Sequence, residues 1–92
     1  MQISDIKFRK ILNDDSRLRA IVSITIDDLI AIHDIKIIEG QERLFVAMPS
    51  RKDESGTFRD IIHPISAIAR ENIEKSILSA YNEYLSSLPL EQ

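Results

Sequence analysis

The chain holds no cysteine and no tryptophan, and only two glycines, three prolines and two histidines among its 92 residues. Without cysteine there is no disulfide staple, and two histidines alone make a poor metal site. No Gly-rich phosphate loop, nucleophile elbow or metal motif is present. No apolar stretch approaches the roughly 20 residues that a membrane span needs. Met1 is not followed by a basic segment and an apolar run, so a secretory signal is not expected. The expectation is a soluble cytoplasmic protein without cofactor, small-molecule substrate or membrane insertion. A chain this short forms one domain with a modest core. Apolar packing must hold it, and pairing with a second copy would add to that packing.

Charge is unevenly distributed. The net charge is −3, yet residues 1–52 hold nine Lys/Arg against eight Asp/Glu, and residues 53–92 hold three against seven. The halves therefore carry +1 and −4. An acidic average argues against a general nucleic-acid coat, while a basic patch on the N-terminal half stays open.

The first half reads as β-structure. Ile3, Ile6 and Phe8 alternate weakly with Lys7 and Arg9, and Asn13 to Arg17 is a turn signal. In "LRAIVSITI" the residues Leu18, Ala20, Val22, Ile24 and Ile26 share one face. With Asp27-Asp28 as a two-residue hairpin tip, Ile26 faces Leu29, Ile24 faces Ala31 and Ala20 faces Ile35. This register also sets His33 opposite Val22 on the apolar face, and Asp34 diagonally from Arg19. "LFVAMP" (44–49) and "TFRDII" (57–62) are two further strands, joined as a hairpin by the polar loop from Ser50 to Gly56. From Ser66, a natural N-cap, the period becomes helical. Ile73, Ile77, Tyr81, Tyr84 and Leu88 form an apolar stripe. The expected fold is α+β: a twisted antiparallel sheet of about five strands with a C-terminal amphipathic helix. Residues 1–85 make the domain and 86–92 a frayed tail.

Two kinds of chemistry compete for the polar residues. His33, Asp34 and His63 are the only residues with a catalytic look, but neighbours on a strand point to opposite faces, so His33 and Asp34 should not share a site. Arg51 and Lys52 are consecutive at the base of the polar loop. In extended chain they diverge, which suits a phosphate backbone better than one small ion. Arg43 and Arg59 flank the strands, and Asp53 and Glu54 partly neutralise the pair. From the residues alone, a nucleic-acid patch and a solvated loop both fit. Phe45 and Phe58, the aromatics beside the loop, are expected in the core.

"RAIVSITID", "HDIKIIEG", "LFVAMPSRK" and "FRDIIHPI", in this order, resemble the stage V sporulation protein G (SpoVG) family from Ile3 to about Tyr84. The resemblance implies a small antiparallel-sheet protein with a C-terminal helix, dimerising through its sheet. It implies a non-enzymatic regulator that binds DNA or RNA and is linked to septation and sporulation. The family's nucleic-acid contacts follow the "MPS" motif, which here means Arg51 and Lys52, with Ser50 as a neutral donor and Arg59 of "FRDI" beside them. Family loops often continue with Thr-Pro-Asp-Gly, whereas this chain has "DESGT". A protein-interaction module of the division machinery, working without nucleic acid, is the alternative.

Overall fold

The computed structural model describes residues 2–12 and 16–87. Four strands, β1 (Ile3–Ile11), β2 (Leu18–Ile26), β3 (Ile30–Glu39) and β4 (Leu44–Ala47), form an antiparallel sheet in the order β1-β2-β3-β4. A separate two-stranded arm, β5 (Ser50–Lys52) and β6 (Phe58–Asp60), follows, and then one helix, α1 (Ala67–Ser86). The α+β class holds, but the expected single sheet of about five strands divides into four and two. Pro49 marks the division, since it has no N–H to donate and cannot continue a ladder. Its carbonyl instead accepts from Ile61 N–H at 2.8 Å, at the root of the arm.

The core lies between one sheet face and α1. Val22, Ile24, Ile35, Ile37 and Ile77 are fully buried there, with Ile73 and Tyr81 beside them. Three of the five stripe residues thus enter the core as expected. Tyr84 stays at its margin, its ring tilted against Phe8 with centroids 5.1 Å apart, and the Phe8 ring also lies 6.2 Å from Tyr81. Leu88 and the tail beyond it lie outside the described residues, as do residues 13–15 of the expected first turn. Ser66 caps the helix, its hydroxyl accepting from Ala69 N–H at 3.1 Å, and Ser87 closes the other end.

The β2–β3 hairpin corrects the expected register. Asp27 (φ 52°) and Asp28 (φ 56°) are both left-handed, the pattern of a type I′ turn, and Leu29 N–H donates to the Ile26 carbonyl at 2.9 Å. Leu29 is then left over as an extra residue, so Ile26 pairs with Ile30, Thr25 with Ala31 and Ile24 with Ile32. A second irregularity sits at His33-Asp34, with Asp34 at φ 65°, after which Val22 pairs with Ile35 and Ala20 with Ile37. The two extra residues bring Ile32, Ile35 and Ile37 all to the core face, which strict alternation could not do through "IAIHDIKI". His33 is therefore exposed on the far face rather than packed against Val22. The expected Arg19–Asp34 bridge is replaced by a contact from Arg19 to Glu39 at 2.7 Å.

Both outer strands are blunted. On β1, Lys7 and Lys10 and an irregularity at Arg9 interrupt a regular edge. On β4, the Val46 N–H donates to Glu74 of α1 at 3.3 Å, so a helical carboxylate occupies the edge amide. Such devices discourage strand addition. Gly40 turns the chain between β3 and β4, where a Cβ would stand 2.9 Å from the Arg43 carbonyl.

Candidate nucleic-acid interface

Arg51 and Lys52 do not sit in a loop. They belong to β5, paired in register as Ser50–Asp60, Arg51–Arg59 and Lys52–Phe58. The polar tip is shorter than the sequence suggested, running from Asp53 to Thr57. Asp53 organises it: its Oδ1 accepts from Ser55 N–H (2.9 Å), Ser55 hydroxyl (2.7 Å) and Thr57 N–H (3.0 Å). Gly56, at φ 87°, supplies the left-handed residue that closes the turn.

Directly opposed residues share a face, so the arm has two different faces. One carries Arg51 and Arg59 side by side. Like charges in that position destabilise a hairpin, and Asp53 relieves the strain by accepting from Arg59 Nε at 2.6 Å. The Arg59 guanidinium beside it is the main cause that holds the Asp53 carboxyl down at about 2, with the Ser55 and Thr57 hydrogen bonds adding to it. The other face carries Lys52, whose Nζ lies 5.5 Å over the Phe58 ring. Phe58 is 68% exposed, which corrects its expected place in the core. Its strand has no covering layer, so alternation there has no inside. Phe45, by contrast, is half-buried on β4.

The four residues singled out from the sequence, Ser50, Arg51, Lys52 and Arg59, are thus brought together on two paired strands. Arg51, Lys52 and Arg59, together with Asp53, Glu54, Asp60 and Ile61, line an open concavity of about 510 Å³. Sequence reasoning missed Phe58, although its place two residues after Gly56 on a two-stranded ribbon was a usable signal. Arg43 lies apart from the arm, 4.0 Å from Glu74. His33, Asp34 and His63 do not converge. His33 Nδ1 lies 2.8 Å from Ser23 Oγ and His63 Nδ1 lies 3.0 Å from the Pro64 carbonyl. Among the described residues no cluster of His, Asp or Glu is arranged to hold a metal ion. No described helix is long and apolar enough to cross a membrane.

The fold and arm define a class: a small α+β domain whose sheet and helix form the core while a two-stranded arm bearing Arg51, Lys52 and Arg59 extends beside it. The SpoVG family model matches residues 1–83, and the chain belongs to the SpoVG family. Among its relatives, a "Putative septation protein SpoVG" of Finegoldia magna is 59% identical over 83 residues, covering 90% of this chain and 76% of that protein. The protein of the same name in Agathobacter rectalis is 50% identical over 88 residues, covering 96% and 100%. That of Clostridium botulinum is 49% identical over 92 residues, covering both chains fully.

Proposed function

We propose that this protein is a non-enzymatic regulator that binds DNA or RNA through the β5–β6 arm and acts in septation and, in spore formers, sporulation. The observation that carries the reading is the opposed Arg51–Arg59 pair, because a hairpin that sets two guanidinium groups side by side opposes its own pairing and relies on Asp53 to offset the repulsion. Such local conflicts concentrate at functional sites. Arg51 and Lys52 reach phosphates from opposite faces of β5, and Ser50 adds a neutral donor. Phe58 offers a plate on which an unpaired base can stack, which favours single-stranded segments. Arg59, tied to Asp53, positions the arm and adds its exposed guanidinium edge. The septation role rests on the names of the relatives.

The protein acts as a homodimer in this reading. Leu29, Ile30, Ile61, Ile62, Ile65 and Ile68 are all exposed, Ile65 by 91%. Ile62 and Ile65 border an apolar groove of about 340 Å³ that also includes Ile26, Ile32 and Met48. Exposed apolar surface of this kind marks an interaction site, and with both sheet edges blunted it is the favoured contact between copies. A dimer presents two arms and doubles the phosphate contacts. The alternative, a division-protein adaptor without nucleic acid, draws on the same groove.

A fluorescence-anisotropy titration with single-stranded and duplex oligonucleotides tests the reading. Wild type should bind, and R51A/K52A should lose at least tenfold in affinity. Equal binding by both proteins would remove the arm from the site, and light scattering that found only monomers would remove the dimer.

A further inference from the structure

The arm's own charges cancel: Arg51, Lys52 and Arg59 stand against Asp53, Glu54 and Asp60. Long-range attraction of a polyanion must then come from elsewhere, and the sheet face opposite α1 is where the cations collect. Lys7 pairs with Ser23, while Lys10, Ile21 and Lys36 form one row across β1, β2 and β3. These pairs lie on the face opposite the buried Val22 and Ile35, and all three lysines are exposed.

The irregularity between Phe8 and Lys10 gives the arrangement its purpose. Phe8 pairs with Val22 on the core side and Lys10 with Ile21 on the open side, leaving Arg9 as the extra residue. Arg9 also turns to the open face, where its Nε donates to Ser23 Oγ at 3.1 Å. Ser23, only 5% exposed, is in turn 2.8 Å from His33 Nδ1. Two successive basic residues thus share a face that alternation would have split, and one is fixed by a relay across three strands. Bulges re-aim side chains in this way at working surfaces. Arg19 is already matched by Glu39, and Asp5 and Asp34 are the remaining acids near the face, against four cations.

We propose that this open sheet face is a second, separate contact surface for a nucleic-acid backbone, with Arg9 as its fixed centre and Lys7, Lys10 and Lys36 around it. Strands lie about 4.8 Å apart, so Lys10 and Lys36, two strands apart, are separated by roughly 10 Å. Lys7 and Lys10, three residues apart on β1, are separated by a similar distance. Cations spread so widely on a stiff sheet engage several phosphates rather than one carboxylate. The proposal adds a surface to the nucleic-acid reading and rests on it only for the type of ligand.

The test compares K7Q/K10Q/K36Q, the same variant with R9Q added, and R51A/K52A. Binding to a 30-base-pair duplex is followed from 50 to 200 mM salt, with unchanged thermal unfolding as the check on folding. Each phosphate contact contributes about 0.9 to the slope of log affinity against log salt. The triple variant should therefore lower the slope by roughly 2 to 3, and R9Q by about one more. An unchanged slope in both face variants, with binding lost in R51A/K52A, overturns this proposal and leaves the arm standing. The reverse pattern supports the face and removes the arm. No binding by the wild type overturns both. Binding of poly-glutamate as tightly as the duplex overturns the assignment to nucleic acid.

Discussion

Replacing Arg59 by alanine should change the titration of a residue six positions away. In the folded protein Asp53 is held at about 2, against an ordinary value of 3.8, and the 2.6 Å contact from Arg59 is the largest cause. Its folded value is depressed, so the ionised carboxylate supports the arm fully above about pH 4 and loses that role as the pH falls through about 2. With Arg59→Ala the bonds from Ser55 and Thr57 remain. The midpoint should therefore rise only part of the way towards 3.8. The side-chain carboxyl carbon, followed by NMR from pH 6 to 1.5, reads this directly. Below pH 2 the wild-type Ser55 and Thr57 amides should also exchange faster, because their common acceptor becomes protonated. A wild-type midpoint near 3.8, or one near 2 that Arg59→Ala leaves in place, would refute the view that Asp53 exists to neutralise the opposed arginines.

Ile77 is fully buried against the sheet, so Ile77→Ala should destabilise by about 2–5 kcal/mol in denaturant unfolding. For a domain of this size that is a large share of a total of roughly 5–15 kcal/mol. Ser66→Ala removes the hydroxyl that caps Ala69 N–H and should cost about 1 kcal/mol, while Ser66→Asp should keep most of the stability. Asp28→Gly places the preferred residue at a left-handed position and should raise stability by up to about 1 kcal/mol, read as a higher melting temperature.

Much of this architecture was legible in the residues because one face of each element is strongly apolar. Ala20, Val22 and Ile24 turned inward as their alternation required, and the Ser66 cap followed from the switch to helical spacing. The errors lie where one extra residue shifts a register. Leu29 in the turn and the His33-Asp34 pair in β3 each shift the register against β2, and no local signal distinguishes an aspartate in a bulge from one in a regular strand. The arm was misjudged for a different reason. Ser50 to Lys52 looks like a polar loop because strand assignment relies on burial, and this ribbon has both faces exposed. Phe58 was assigned to the core on the same assumption. The positions of Arg51 and Lys52 after "MPS" carried the family resemblance, but their register against Arg59 and Phe58 needed the structure.

The most direct test of the arm's role is an amide chemical-shift map of the isotope-labelled protein, taken while an unlabelled single-stranded oligonucleotide is added. The account predicts shifts concentrated at Ser50–Asp53 and Phe58–Asp60. Shifts absent from these residues, while the oligonucleotide binds elsewhere or not at all, would contradict it.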